Sequence, residues 1–427
     1  MSKVSIVRCP SYRPDEVQKA VAAAVDYLGS LGRFVKPGDR VLIKPNLYQN
    51  KPPTKAVTTH PAVVTAVIRL VREAGGIPAI GESKLRRNAK KTGIQEVAAA
   101  EGVELIDFVE PVVVTKKEGV FKRFEIAKQV LEADVVINLP KVKTHRMTTL
   151  TLSVKNLYGC IPRYRKTQRH MEIFKYRPKR GAVQSIWDLW INKEYFALML
   201  VELYEVLRPA LTIADGVISM EGYGPKLGDP RQVGLIMAGT DCIELDTVIA
   251  ELMGVPAEEV LTLEVARKWN KGITDLRQIT VVGEDLEKVR VRDLKPSVFQ
   301  EDTADYLQRI LYKFYDTFMT TRPAVDPKKC TLCGICETNC PTQVITRKKA
   351  EARFPEAKGS PQEVLAINYE NCIRCYTCQV DCPEGAISVQ EGWLLKHFGA
   401  ELFHAFFLFN NLPYLHKLGH FLERRRK

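Results

Sequence analysis

The residues best suited to chemistry in this sequence are its cysteines, because eight of the 11 fall into two runs of one spacing. Each run reads C-x2-C-x2-C-x3-C and is followed at once by a proline, Pro341 or Pro383. The runs comprise Cys330, Cys333, Cys336 and Cys340, and then Cys372, Cys375, Cys378 and Cys382. Thiolates at this spacing can converge on an iron–sulfur cube, and the fourth cysteine of each run reaches the other cube.

This crossing assigns the eight thiolates to two [4Fe–4S] clusters. One cluster is predicted on Cys330, Cys333, Cys336 and Cys382, and the other on Cys372, Cys375, Cys378 and Cys340. Zinc is disfavoured, because zinc sites seldom show four cysteines at this spacing twice. Disulfides are disfavoured too, because they are rare in a cytosolic protein.

Polar side chains at the ends of three predicted strands form a second candidate site. Lys44 and Asn46 end one strand, Lys141, Lys143 and His145 follow another, and Asp215 and Glu221 follow a third. Open α/β sheets bind ligands beyond the carboxyl ends of their strands. If these strands are neighbours, the lysines with Asn46 and Asp215 are expected to bind an anionic substrate. His145 and Glu221 are the candidate catalytic proton donors.

The elements that must position these residues alternate between short apolar runs and helical patterns. Over residues 1–300 this alternation favours an α/β fold, a doubly wound and largely parallel sheet. Strands are predicted at 4–8, 39–46, 77–80, 104–108, 134–139 and 211–219. Helices are predicted over about 14–30 and from Pro61 to the Gly75-Gly76 pair, where proline begins and glycine ends a helix.

The cysteine runs belong to an internal repeat, because residues 325–345 and 367–387 align without gaps at an offset of 42. The repeat predicts a small two-cluster α+β module over 323–390, with an exposed polar insertion at 346–363. Residues 391–427 carry an apolar stripe at helical spacing and then a break at Pro413, which predicts an amphipathic helical hairpin. This tail either caps the module or lies on a membrane surface, and flotation with anionic vesicles separates the two.

The composition is that of an ordinary globular protein, with 427 residues, 45% hydrophobic and 26% charged. No apolar run is long enough to span a bilayer, and the first residues lack the apolar core of a signal peptide. A cytoplasmic location is therefore expected, with peripheral contact at the inner face of the membrane if the tail binds lipid. The net charge of +13 is concentrated partly in residues 163–180, which favour a basic flap over an anionic substrate rather than a nucleic-acid surface.

Several separated motifs make residues 1–300 resemble the family catalogued as domain of unknown function 362 (DUF362). They are Lys44-Pro-Asn46, Thr59-His-Pro61, the run from Leu139 to His145, the run from Thr151 to Gly159, Asp215-Gly216, the run from Met220 to Pro225, and Asp241 with Asp246. Residues 323–390 resemble a bacterial-type ferredoxin with two [4Fe–4S] clusters. The resemblance implies iron–sulfur chemistry and names no reaction.

The leading functional hypothesis is an iron–sulfur oxidoreductase of unknown substrate. An external donor or acceptor protein exchanges electrons with the clusters, which pass them to a small anionic substrate in the α/β domain. In the alternative, the α/β domain docks another protein, and the chain is a non-catalytic electron-transfer or assembly partner. A nucleic-acid-binding iron–sulfur protein is the third hypothesis, and nucleic acid is the least favoured partner because no known binding motif accompanies the basic stretch.

Overall fold

The computed structural model describes residues 3–83, 85–145, 147–162, 184–297, 321–349, 363–369, 372–392 and 396–397. The chain divides into two compact units. The first, called the α/β unit below, comprises residues 1–114, 124–166 and 193–299. The second, called the cysteine unit, comprises residues 115–123, 167–192 and 300–427.

Ten strands of the described residues form one sheet in the α/β unit. They are β1 (Lys3–Arg8), β2 (Arg40–Pro45), β3 (Ile77–Glu82), β4 (Glu104–Asp107), β7 (Val135–Leu139), β8 (Lys141–His145), β9 (Thr149–Thr151), β10 (Leu211–Glu221), β11 (Asp229–Gly239) and β12 (Thr280–Gly283). A separate hairpin pairs β5 (Pro111–Thr115) with β6 (Arg123–Ala127). The sequence predicted β1, β2, β3, β4, β7 and β10, but not β8, β9, β11 or β12.

The sheet is mostly parallel, as the sequence predicted, with the order β12-β1-β11-β10-β7-β2-β3-β4. Strands β10, β7, β2, β3 and β4 pair in parallel, whereas β11 is antiparallel to both of its neighbours. Strand β8 continues directly from β7 and pairs in parallel with β10. The carboxyl ends of β2 and β7 therefore lie side by side, whereas β10 continues past them beside β8.

The helices of the α/β unit pack against the sheet through their apolar faces. They span Pro14–Asp26 (α1), Pro61–Glu73 (α2), Leu85–Asn88, Ile94–Glu101, Lys128–Glu132, Ser153–Asn156, Gln184–Leu207, Cys242–Leu252, Leu261–Lys268 and Leu286–Val289. Helix α1 ends at Asp26, earlier than predicted, because the chain turns at Gly29, whose φ is 104°. Helix α2 begins at the predicted proline, and His60 caps it by accepting a hydrogen bond from the Ala62 amide.

Different helices pack against different parts of the sheet. Helices α1 and α2 pack on alternate residues of the central strands, including Val41, Ile43 and Ile213, in one large apolar core. The helices Ser153–Asn156 and Cys242–Leu252 contact each other and lie against the sheet at β7 and β11. Side chains alternate between faces along a strand, so neighbouring residues of β2 belong to different sides.

The cysteine unit repeats itself with an offset of 42 residues. Strands β13 (Thr321–Val325) and β14 (Ile345–Lys349) have their counterparts in β15 (Glu363–Ile367) and β16 (Ile387–Glu391). The first-repeat helix (Ile335–Thr338) corresponds in the same way to the second-repeat helix (Thr377–Val380). Pairing crosses between the halves, because β13 pairs with β16 and β14 with β15.

The same repeat is visible in the backbone turns around the cysteines. Leu332 and Arg374 occupy equivalent positions with φ of 56° and 52°, and Gly334 and Tyr376 do so with φ of 81° and 58°. Left-handed backbone at a non-glycine residue is uncommon, so its recurrence 42 residues later indicates two copies of one loop.

Three predicted segments lie wholly or mostly outside the described residues. They are the basic stretch 163–180, most of the helical tail over 391–427 and most of the polar insertion at 346–363. The described ends of that insertion, residues 346–349 and 363, belong to the paired strands β14 and β15. Among the helices that are described, none combines the length and apolar character needed to cross a membrane.

Candidate functional site

Two separate cavities lie in the cysteine unit, and each is lined by four cysteines. Cys330, Cys333, Cys336 and Cys382 line the first cavity. Cys372, Cys375, Cys378 and Cys340 line the second. Each cavity thus combines three cysteines of one run with the fourth of the other, the grouping that the spacing predicts.

The fourth cysteine of each run is oriented by the backbone that follows it. The Val344 amide donates to Cys340 Sγ at 3.5 Å, and the Ala386 amide donates to Cys382 Sγ at 3.3 Å. Hydrogen bonds of this kind stabilise a sulfur that carries negative charge. They recur at the same place in both halves, which fits sulfurs that act as cluster ligands.

Burial raises the pKa of the Cys336 thiol to about 11 and that of Cys378 still further. Such thiols stay protonated at neutral pH unless a metal replaces the proton. Among the described residues, no three His, Cys, Asp or Glu side chains close on a point suited to a single metal ion. The eight cysteine side chains line the two cavities, and thiolate sulfur is the ligand that holds iron–sulfur clusters.

The α/β unit carries a second polar cluster, called the β8–β10 cluster below, at the carboxyl edge of the sheet. It is built on Lys141 and Asp215, which face each other across the β8–β10 pair. Lys141 Nζ donates to Asp215 Oδ2 at 2.8 Å and to the Tyr12 hydroxyl at 2.7 Å, and both charged groups are fully buried. Burial lowers the pKa of Lys141, against the attraction of Asp215.

Tyr12 and His60 complete this cluster and were not among the predicted site residues. The Tyr12 hydroxyl donates to Asp215 Oδ1 at 2.7 Å, and the His60 backbone amide donates to Asp215 Oδ2 at 2.8 Å. The two rings stack at 3.6 Å between centroids. Tyr12 follows β1, so extending the strand-end argument to the first strand would have identified it.

Lys143 lies two residues along β8 from Lys141 and extends the cluster. Its ammonium donates to Asn46 Oδ1 at 3.1 Å and to the Val57 carbonyl at 2.6 Å. It also lies 5.3 Å from the ring centroid of Tyr48, which is 44% exposed. The structure therefore brings Lys141, Lys143, Asn46 and Asp215 together, and Tyr48 marks where this region reaches the surface.

Lys44 does not belong to this cluster, so the prediction that all three lysines share one region is wrong. Its ammonium contacts Glu82 at 2.6 Å and Asn156 at 3.4 Å, on the face of the sheet opposite α1 and α2. Ile43 belongs to the apolar core under α1 and α2. Because successive side chains of a strand point to opposite faces of the sheet, the side chain of Lys44 points away from that core. Gly159 leaves room for this pair, because an added Cβ would lie 2.5 Å from Lys44 Nζ.

Glu221 is also placed apart from the lysines. Met220 packs against Ala56 and Val57, the side where Lys143 lies, and alternation turns Glu221 the other way. Its carboxylate pairs with Arg231 at 3.5 Å and Lys295 at 3.4 Å. The expectation of a proton donor beside the lysines is therefore not met by Glu221.

His145 ends β8 and is 8% exposed. Its Nδ1 accepts hydrogen bonds from the Met147 and Thr148 amides at 3.1 and 3.3 Å. These contacts place the proton of the neutral ring on Nε2. Because side chains two residues apart on a strand point to the same face, the His145 side chain lies on the same face of the sheet as Lys141 and Lys143.

His60 is expected to make the stability of the α/β unit depend on pH. Burial lowers its pKa to about 4, although Asp215 favours the charged form and Lys141 opposes it. Between pH 6.5 and 4 the imidazole is therefore protonated in the unfolded chain but not in the folded chain. The free energy of unfolding consequently falls as the pH falls. His60→Asn keeps a cap acceptor and is expected to reduce this loss by about 1–2 kcal/mol.

Urea unfolding of both proteins at a series of pH values measures this difference. Equal losses in the parent and in His60→Asn between pH 6.5 and 4 would contradict the assignment. Other titrating groups are common to both proteins and cancel in the comparison.

Comparisons with known families give two matches, which lie in different parts of the chain. Residues 41–251 match the family described as domain of unknown function (DUF362), and residues 329–386 match the 4Fe-4S dicluster domain. The thylakoid-associated protein sll1697 of Synechocystis sp. is 37% identical over 267 residues, which are 62% of this chain and 78% of that protein. The lactate racemase apoprotein of Thermoanaerobacterium thermosaccharolyticum matches with a TM-score of 0.33 at 12% identity, over 58% of this chain and 56% of its own. A similarity that low supports no inference about activity.

Proposed function

Because the chain belongs to the family described as domain of unknown function 362 and carries a 4Fe-4S dicluster domain, we propose that it is a redox protein with two [4Fe–4S] clusters. In this proposal the clusters pass electrons to an anionic substrate held by the α/β unit. The observation that carries it is the pair of separate cavities, each lined by four cysteines drawn from both runs.

The groups that would fill these cavities supply single electrons when bound. The chain supplies eight thiolates, and it supplies the amides of Val344 and Ala386 as donors to the crossing sulfurs. Such hydrogen bonds to sulfur are among the factors that set the reduction potential of a cluster.

We place the anionic group of the substrate beside Lys143. Lys143 donates to the side-chain oxygen of Asn46 and to the Val57 carbonyl, at the point where the region reaches the exposed ring of Tyr48. A lysine ammonium is a compact positive charge with three donors, which suits a phosphate or carboxylate group. The exposed ring of Tyr48 lies beside Lys143, so a ligand can approach this ammonium from solvent.

Lys143→Ala is expected to weaken binding of the substrate about 10- to 100-fold, the loss of one hydrogen bond to a charged group. The reduced protein is incubated anaerobically with a metabolite extract, and the compound that reoxidises it is identified and titrated. Lys90→Ala, at an exposed lysine of the same unit, is the matched control. Equal affinities in the parent and in Lys143→Ala would reject this placement.

One observation favours the alternative, an electron carrier that performs no chemistry of its own. Two of the three predicted substrate lysines are neutralised by carboxylates within the fold, as expected of buried structural ion pairs. In that case no small molecule of the extract reoxidises the protein, whereas a redox protein partner does so.

A further inference from the structure

The two halves of the cysteine unit have one backbone plan but unequal exposure. Cys333 is exposed and Ile335 is 39% exposed in the first half. Their counterparts 42 residues later, Cys375 and Thr377, are buried. The second cysteine of the first run therefore reaches the surface, whereas its counterpart in the second run is covered.

The cover over the second half is the tip of the β5–β6 hairpin, residues 115–123 of the same unit. Thr377 Oγ1 donates to the Val120 carbonyl at 2.5 Å. Lys122 Nζ lies 2.8 Å from both carboxylate oxygens of Asp381, and the Arg123 guanidinium lies 5.4 Å from the Tyr376 ring. These contacts bury the second-repeat helix and the loop before it.

The first half lacks the residues for an equivalent cover. The counterpart of Asp381 is Asn339, which carries no charge and donates its own amide to Asp381 at 2.8 Å. Within the described parts of the chain, no hydrogen bond or ring contact joins the first-repeat helix to a segment outside residues 321–392. The first-repeat helix is therefore a surface element.

This surface is basic around the exposed cysteine. Lys328 and Lys329 directly precede Cys330 and are both exposed. Glu337 pairs with Arg347 at 3.1 Å, and the exposed Glu384, which lines the same cavity, offsets one of the two lysine charges, so the surface keeps a positive balance. An exposed basic rim around an apolar side chain is a surface that attracts an acidic protein.

We propose that the face formed by Lys328, Lys329, Cys333 and Ile335 is the docking surface for an acidic one-electron carrier protein. Electrons then enter the chain at the cavity of Cys330, Cys333, Cys336 and Cys382. One electron leaves the reduced centre of the carrier and reduces the centre in this cavity, and no proton or bond is exchanged. Transient redox complexes use small interfaces, so one helix and its flanking lysines offer enough surface.

This inference rests on the two clusters of the proposed function. Iron content and the paramagnetic resonance signal of the reduced protein test those clusters independently of any carrier. A failure of the clusters is therefore distinguishable from a failure of the docking surface.

The charge is tested with the double variant Lys328→Glu/Lys329→Glu and a reduced, acidic plant-type [2Fe–2S] ferredoxin as the probe. Affinity is measured by biolayer interferometry and electron uptake by anaerobic stopped-flow spectroscopy. We expect both to fall about 10-fold at low salt, with the difference lost near about 0.5 M salt, where screening is strong. Lys90→Glu/Lys91→Glu makes the same charge change on the α/β unit and is expected to retain the parent values. Equal losses in both double variants, or no loss in the first, would overturn the proposal.

The point of entry is tested by removing one cavity ligand at a time. Cys336→Ser is expected to abolish the fast phase of reduction by the carrier, whereas its counterpart Cys378→Ser is expected to keep it. The reverse result, with the fast phase kept in Cys336→Ser, would place electron entry at the covered half and overturn the proposal.

Discussion

Replacing Cys336 by serine is expected to remove one iron–sulfur centre and leave the other. Cys336 lines only the cavity that it shares with Cys330, Cys333 and Cys382. Two cubes contain about eight irons, so the variant should retain about four after anaerobic reconstitution. Cys378→Ser, at the equivalent position of the other repeat, is expected to lose the other four.

Iron analysis and paramagnetic resonance of the dithionite-reduced proteins measure this result. Coupling between two reduced centres broadens the parent signal, so each variant should show a simpler one. Cys9→Ser is the control, because Cys9 is a buried thiol of the α/β unit, and this variant should keep about eight irons. A parent protein that binds zinc alone would disprove the assignment.

Replacing Asp215 by alanine is expected to destabilise the α/β unit by about 3–5 kcal/mol, the cost of leaving a buried charge without its partner. Asp215 accepts hydrogen bonds from Lys141, Tyr12 and the His60 amide, and all of them are lost together. The shift of the urea midpoint of this unit measures the loss.

A second variant separates the effect of the unpaired buried charge from the effect of the cavity that the Asp215→Ala substitution leaves. Lys141→Met combined with Asp215→Ala removes both charges and is expected to regain much of the stability. Glu132→Ala, which removes one partner of the exposed pair with Lys128, should change stability by less than about 1 kcal/mol. A double variant as unstable as Asp215→Ala would show that the Lys141–Asp215 charge pair is not the source of the loss.

The order of polar residues along the chain predicted one part of the α/β cluster and misjudged another. Lys141, Lys143, Asn46 and Asp215 meet because β8 continues from the end of β7 along β10, in which Asp215 is an internal residue. Lys44 lies at the end of the adjacent strand β2, but its side chain leaves from the opposite face. The ends of β2 and β7 were therefore a sound guide to this edge of the sheet, but they did not predict the place of Asp215 within β10 or the side of Lys44.

The sequence by itself determined which cysteines belong together, because a short loop with fixed spacing can present its thiolates in few ways and the offset of 42 repeats that loop. It also determined the largely parallel α/β class, because parallel neighbouring strands need a long crossover connection, usually a helix, and the pattern supplies helical segments between its strands. Only the tertiary structure decided which polar groups share a site. Tyr12, His60 and Asp215 are up to 203 residues apart in the chain, and their contact depends on strand order. Two further features depend on long-range pairing and packing that no local pattern encodes. They are the face on which Lys44 lies and the cover over the second-repeat helix by a hairpin more than 250 residues away.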